Sequence, residues 1–502
     1  MAQETTETTP LLPPQPQPAQ ASTTHPLRHN AHKILLLVFM VAITIDFGDC
    51  LSTTPRTQIL ENIICHNFHP DTATTSNPSQ CKDADVQSEL ALINGWKDTF
   101  DQLPGIILAL PYGFMADRVG RKKVLLLSLL GLVLQEGCLR LICWNSNSIP
   151  PRAIWLTALF QIVGGGSQIA TSMVFTIMTD IFPVEKRTNA FFLIASGALV
   201  ADIMANPISA YLMTSSPWVP YLASMVVEVV GVLAALGVPE TMPKVLHGEQ
   251  ESAASESATD VDSDEIGDER ENASAIEERH RQNNRLKKLL HPATTQLHRL
   301  REFIWSDRNI LAVTIAFFAA NAAQQALPFM LQYVSRRFEW SMGKASILKS
   351  LKGTINLILL LIILPSMSRL LTVRFHFSPV KRDLLISRVS AAFQTLGLIL
   401  MGTVSHPIPF ILGLSITSLG WGFPSALRSV ATALVSDHQV GLLNTIIALV
   451  QGFAGVLGMP GIAAVFRMGI NWGSNWMGML FFVAALLFGL AGGVVGGVKV
   501  EG

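Results

Sequence analysis

The sequence predicts an all-α integral membrane protein with about twelve spans in two groups of six. Composition is the first sign. Of 502 residues, 49% are hydrophobic and 14% charged, where a soluble chain carries roughly a quarter charged. The apolar residues are also blocky: no Asp, Glu, Lys or Arg interrupts 153–179, 309–335 or 441–466, and about 20 apolar residues suffice to cross the hydrocarbon layer. Finally, a single long polar gap at 239–307 divides the apolar runs into two sets.

A span-length window places the first set at 34–54, 90–116, 123–143, 152–179, 188–212 and 219–238. The second set falls at 308–334, 343–365, 386–404, 408–434, 441–466 and 475–496, with Lys344, Lys349 and Lys352 crowding the start of 343–365. The organisation expected is a disordered cytoplasmic tail (1–33), a six-helix bundle (34–238), a cytoplasmic loop (239–307), a second bundle (308–496) and a short cytoplasmic tail (497–502).

Lys and Arg favour the cytoplasmic side, and this orients the chain. With the N-terminus inside, the inner loops hold Arg118, Arg121, Lys122 and Lys123, then Lys186 and Arg187, then Arg369, Arg374, Lys381 and Arg382. The outer loops hold fewer: Arg56, Lys82, Arg152, Arg336, Arg337 and Arg467. Residues 1–30 are polar and Pro-rich without an apolar core, so they do not read as a signal peptide, and the first span itself directs insertion. In the gap, the acidic stretch from Glu249 to Glu278 cannot bury enough apolar surface to fold. The basic stretch that follows places Arg285, Lys287, Lys288, Arg299 and Arg301 among leucines. It reads as an amphipathic segment on the inner leaflet or as a solvated linker.

Zero formal net charge removes the electrostatic case for nucleic acid. The five cysteines form no CxxC and no Cys/His cluster, so no metal or other cofactor is expected. Nor do the 12 histidines make a nucleophile–base or metal constellation, which argues against an enzyme.

Between the second and third spans the chain reads Gly113-Phe-Met-Ala-Asp117-Arg118-Val-Gly120-Arg121-Lys122-Lys123-Val-Leu125. This resembles the signature of the major facilitator superfamily at every polar and glycine position, with Met115 where leucine is usual. Gly113 and Gly120 suit close helix approach and a tight turn, and the cations suit an anionic inner leaflet. Asp117 can face the positive N-terminal end of a neighbouring helix. The resemblance makes that neighbour the eleventh span, opening near Gly441-Leu-Leu-Asn444. It further implies two bundles related by a pseudo-two-fold axis around a central cavity, a monomer, and alternating access for a small-molecule substrate. Asp180, Pro183 and Glu185-Lys186-Arg187 after span four, and Pro239-Glu240-Thr241 after span six, resemble the family more loosely. Two departures stand out. Gln161-Ile-Val-Gly164-Gly165-Gly166-Ser167 lacks the arginine that proton-coupled exporters carry on span four, and Asp202 to Ala210 keeps only Pro207 of their span-five motif.

Charges inside a span are costly, so each is a functional hypothesis. Asp46 and Asp49 share a face of span one, close enough to share a proton, or they sit at a wet outer mouth. Asp202 and Glu228 lie mid-span without a sequence-local cation, as proton-coupling groups or as buried hydrogen-bonding groups. Glu136 and Arg140 are spaced for a self-neutralised intrahelical pair. Arg428 either snorkels or touches substrate. Gln161, Gln168, Gln324, Gln325 and Trp421 are candidates for the cavity wall. The wall so assembled is largely apolar and sparsely charged, which suits lipophilic or weakly polar solutes. The Gly164–Gly166 run marks close helix packing.

Cys65 and Cys81 share the first external loop (55–89), as a disulfide or as two thiols. The plasma membrane is the expected residence; Glu7 to Leu12 resembles an acidic dileucine sorting signal, which would route the protein to vacuolar or endosomal membranes instead. The reading that follows is proton-coupled export of a small organic molecule. Nutrient uptake is the second choice, and a non-transporting sensor of the same fold is the alternative from another class.

Overall fold

The computed structural model describes residues 31–70, 80–182, 184–241, 302–305, 307–436 and 439–498. The expected N-terminal tail with its dileucine, the central loop with its amphipathic stretch, and the last few residues lie mostly or wholly outside them. The first six spans are α1 (Ala31–Phe68), α2 (Ala84–Val119), α3 (Arg121–Trp144), a 3₁₀ segment (Pro151–Ile162) continued by α4 (Gly166–Ile181), α5 (Val184–Leu212) and α6 (Trp218–Leu236). The seventh is broken into α7 (Arg308–Gln324) and α8 (Met330–Arg337), and the eighth runs from α9 (Met342–Ile358) through a π turn into α10 (Leu364–Val373). The rest are α11 (Pro379–Thr403), the broken pair α12 (Pro407–Leu419) and α13 (Phe423–Ala433), α14 (Val440–Asn471) and α15 (Met479–Gly496).

Ten helical segments among the described residues are long and apolar enough to cross a bilayer. The other two expected spans fall short for identifiable reasons. Lys97, Asp98 and Asp101 together with the Asp117-Arg118 end dilute the apolar run of α2, and the break after Gln324 leaves α7 with 17 residues.

Several expected boundaries move. The first span does not stop at 54: α1 continues past Pro55 to Phe68, because membrane helices tolerate a proline whose freed backbone group finds other partners. The first external loop shrinks accordingly, and Arg56 belongs to a helix and not to a loop. Span four is one span with a break in it. Gly164, Gly165 and Gly166 all take positive φ (89°, 79° and 71°), a conformation open to glycine at little cost. The Ser128 hydroxyl of α3 donates to the Gly164 carbonyl at 2.6 Å, and Tyr112 Oη accepts from Gly164 N at 2.7 Å. The run is therefore a break in the helix held by α2 and α3, as well as a close contact.

Packing follows a repeated scheme. In the first half, α1 packs on α5 and α6, and α3 on α4 and α6. In the second, α7 packs on α14 and α15, and α11 on α12 and α15. Spans 1, 3, 4, 5 and 6 thus map onto 7, 9, 10, 11 and 12. The principal contacts between halves, α2 with α14 and α5 with α9, exchange under the same mapping. This is a two-bundle fold with pseudo-two-fold symmetry.

Candidate functional site

A cavity of about 550 Å³ lies between the bundles, within the range of sites for drug-sized molecules. From the first half, α1 contributes Asp49, Thr53 and Arg56, α2 contributes Asn94, Lys97, Asp98 and Asp101, and α5 contributes Asp202 and Asn206. From the second half come Gln324, Gln325 and Phe329 around the break in span seven, Lys349 and Lys352 on α9, and Trp421 at the break in span ten. The expected largely apolar, sparsely charged pore is not what forms: four carboxylates and four cations meet in this wall. They are scattered through 303 residues of sequence, and the bundle interface collects them.

Several of these charges are already paired. Lys97 Nζ donates to Asp101 at 2.6 Å and lies 3.7 Å from Asp98, while Gln135 Nε2 donates to the other Asp101 oxygen at 2.7 Å. Arg56, 8% exposed, donates to Glu136 at 3.2 Å. Glu136 also accepts from Arg140 at 2.9 Å, and Arg140 reaches Glu228 at 3.6 Å, the Ser224 hydroxyl at 2.7 Å and the Tyr221 carbonyl at 3.1 Å. Glu136–Arg140 is therefore not a self-neutralised pair but the middle of an alternating row, Arg56–Glu136–Arg140–Glu228, joining α1, α3 and α6. Such a row satisfies the condition for burying charge, namely pairing plus hydrogen bonds. Only Arg56 at its end reaches the cavity wall.

The two ends of the cavity differ. At the end bearing the Cys65–Cys81 disulfide, the bundles are joined. A methyl built on Gly95 of α2 would meet Ala463 Cβ of α14 at 2.6 Å. Polar contacts reinforce this closure. Glu61, 1% exposed, accepts from Lys82 at 2.6 Å, from Gln58 at 2.9 Å and from Gln87. Lys82 also donates to Ser335 at 2.7 Å, Gln332 to the Gln87 carbonyl at 2.6 Å, and Arg467 to Ser88 at 3.0 Å, each of these crossing from one half to the other. One apolar core continues across both halves here, with Leu60, Leu90, Ala320 and Ala463 among its members.

At the opposite end the halves part. α2 and α14 stay together as far as Ile106 and Gly452, where a methyl would meet Ile106 Cδ1 at 3.1 Å, but among the described residues nothing lies within 4 Å of methyls built on Gly113 or Gly441. The apolar core at this end, around Val38, Ala116, Leu125 and Ile177, belongs to the first half alone. The cavity is thus sealed at the disulfide end and parted at the other.

Residues 86–459 match the description Major Facilitator Superfamily. The chain belongs to that superfamily. Relatives of this major facilitator include the MFS efflux pump atnC of Emericella nidulans, 30% identical over 98% of this chain and 92% of that one. The efflux pump ustT of Aspergillus flavus is 29% identical over 94% of this chain and 89% of its own. Among solved structures, a D-xylose-proton symporter aligns with TM-score 0.58 at 13% identity, covering 91% of this chain and 97% of that one. The human organic anion transporter MFSD10 aligns with TM-score 0.55 at 15% identity, covering 93% and 99%. The protein is accordingly an integral, multi-pass membrane transporter and not an enzyme.

The major facilitator signature sits at the parted end. Gly120 ends α2 with φ +114°, and a Cβ there would run into Glu240, so the position requires glycine. Glu240 accepts from the backbone N–H groups of Arg121 (2.9 Å) and Lys122 (3.3 Å) at the start of α3, a favourable place for an anion. Lys122 Nζ donates to the Leu236 carbonyl at the end of α6, 2.7 Å away, and Arg121 pairs with Asp180. The turn thus ties α3, α4 and α6 together. Asp117 does not meet the start of the eleventh span: it is 68% exposed, 4.0 Å from Arg121. The reason is the parting of α2 from α14, which also leaves Gly113 without the close neighbour expected of it. Arg118 is exposed.

The remaining expected site residues divide clearly. Asp49, Asp202, Gln324, Gln325 and Trp421 line the cavity. Asp46 is half-buried on α1 outside the wall, and Glu228 sits behind it, paired with Arg140 after all. Gln161 is buried and donates to Gln135. Gln168 packs against Gly105, and Arg428 is exposed, 3.5 Å from Gln451. None of these three lines the cavity. Sequence reasoning missed Lys97, Asp98 and Asp101, although three charges in five residues of a span were visible. It also left Lys349 and Lys352 as an untidy helix start, where they are cavity wall.

Proposed function

We propose that this transporter exports a small organic molecule from the cytosol in exchange for protons, by alternating access of the cavity between the bundles. The observation that carries the reading is the asymmetry of the cavity. It is open at the end bearing the basic signature, the cytosolic end by the placement of Lys and Arg, and sealed at the end bearing a disulfide, which belongs to an oxidising compartment. Substrate enters between the parted ends of α2 and α14. Approach of Gly113 and Asp117 to the start of α14 closes the entrance, the Lys82–Ser335, Gln332–Gln87 and Arg467–Ser88 contacts break, and substrate leaves on the far side. Asp49 and Asp202 then take up protons from that side, which lets the carrier return without substrate. Glu228, behind the wall, joins the exchange only if Arg140 is released from it. That relatives are efflux pumps supports the direction.

The test is flux into proteoliposomes containing the purified full-length protein. An acidic lumen should drive accumulation of an organic substrate, and a protonophore should abolish it. Accumulation that needs an acidic bath instead would make this a symporter, and accumulation indifferent to either gradient would remove the proton from the mechanism. Residence in the plasma membrane completes the reading. Relocation of a tagged protein on Leu11→Ala/Leu12→Ala substitution, from vacuolar or endosomal membranes, would show the acidic dileucine in control instead.

A further inference from the structure

We infer that the substrate is amphoteric: its anionic group faces Lys349 and Lys352 in the second bundle, and its cationic group faces Asp49 and Asp202 in the first. The inference rests on the transport reading above and names the chemical class of what the cavity takes.

Its basis is the charge left over once every pair in the wall is made. Arg56 is matched by Glu136, and Lys97 by Asp101 with Asp98 beside it. Lys349 and Lys352 have no carboxylate within 4.0 Å among the described residues, and neither Asp49 nor Asp202 has a cation within that distance. The four leftovers stand on opposite walls and face one another across the cavity without direct contact. Both lysines stand on α9, three residues apart and so on one face, and both line the cavity. Both aspartates stand on the other bundle. Asp202 is held by Asn206, whose Nδ2 donates to its Oδ1 at 2.7 Å. Asn206 Oδ1 is left without a donor, a spare acceptor on the side where a cationic group would supply one. On the lysine side, Lys352 Nζ lies 5.4 Å from the centre of the Trp421 ring, which supports a cation and offers an apolar wall.

A neutral lipophilic solute in this cavity would part the lysines from the aspartates and offer neither wall a partner as water is expelled, and removing partners from a buried charge is expensive. A simple anion would satisfy the lysines and be repelled by the aspartates. A molecule carrying both charges on an apolar frame satisfies both walls, and a volume of about 550 Å³ admits one. It also bridges the bundles, as an occupant must if its binding is to draw them together.

Phenylalanyl-phenylalanine serves as the probe, with its amide (no carboxylate), its N-acetyl derivative (no ammonium) and its N-acetyl amide (neither). The readout is the shift in melting temperature of the full-length protein in detergent, titrated to half-saturation. The zwitterion should bind about tenfold more tightly than either singly blocked form, the scale of one charge-assisted contact. Lys349→Gln/Lys352→Gln should erase the preference over the amide and leave the preference over the N-acetyl form, with Asp49→Asn/Asp202→Asn doing the reverse. Lys349→Arg/Lys352→Arg, which keeps the charge, should retain both and so controls for folding. The inference is overturned if the N-acetyl amide binds as tightly as the zwitterion, if no member of the series shifts melting, or if the Gln variant keeps its preference for the carboxylate. Flux of neutral compounds alone would remove the amphoteric class and leave the exporter standing. The expected binding pattern without proton-driven flux would do the opposite.

Discussion

Arg140 and Glu136 show how little of a buried charge's role is contained in its own helix. Spacing alone pairs them, and they do pair, but Glu136 carries a second guanidinium from a residue 80 positions earlier. Replacing Glu136 by Gln strands Arg56 and leaves Arg140 with Glu228 alone as a carboxylate partner, whereas replacing Glu228 removes only that contact of 3.6 Å. Breaking a buried pair costs about 3–5 kcal/mol, so Glu136→Gln should lower the melting temperature of the purified protein markedly and Glu228→Gln much less. Equal effects would mean that the row is not a unit. At this scale the sequence was only partly legible. Asp49, Asp202, Gln324, Gln325 and Trp421 were found because polar residues in apolar spans stand out. Arg56 was placed in a loop because the first span was ended at 54, just short of Pro55. Gln161, Gln168 and Arg428 are equally conspicuous in sequence, but Gln161 turns to Gln135 on a neighbouring helix and Gln168 and Arg428 are exposed outside the wall, a rotation about the helix axis that periodicity in an all-apolar span does not reveal.

Among the elements, α2 and α14 make the decisive contact. Gly95 lets them close at the sealed end, with no room for a side chain. Gly95→Leu should therefore hold that end apart, lowering transport by about 5- to 150-fold for overpacking of about 1–3 kcal/mol. Maleimide labelling of a cysteine introduced at Asn94 should rise from the outer side, and unchanged labelling would place the seal elsewhere. The polar contacts at this end are individually worth about 1 kcal/mol. Lys82→Ala, which removes the bridge to Ser335 and leaves buried Glu61 only its Gln58 and Gln87 donors, should raise the same labelling. Span existence, order and the signature turn were all legible, because length and hydropathy suffice for them. The breaks in spans four, seven and ten were not: they depend on where backbone groups find partners in neighbouring helices.

For the whole molecule, the repeated packing scheme implies that the parted end closes by contacts equivalent to those now made at the sealed end. Cysteines placed at Gly113 and Gly441 should form a cross-link slowly in the unaltered carrier, and about tenfold faster once Lys82→Ala weakens the outer seal and shifts the population. Cross-linking rates that ignore the outer seal would mean that the two ends move independently. The two-half architecture was legible from one polar gap and one motif. The state of the cavity was not, because a carrier's sequence must be compatible with every state it visits.

The length of α1 has a practical corollary. Its 38 residues extend about 57 Å, against roughly 30 Å of hydrocarbon, and α2 and α14, with 36 and 32 residues, also exceed that thickness. Beside the disulfide, the ends of α1, α2 and α14 bring both halves together at one end of the molecule. A nanobody raised against that end would grip both halves at once, fixing the carrier in one posture for imaging and blocking it without ever entering the pore.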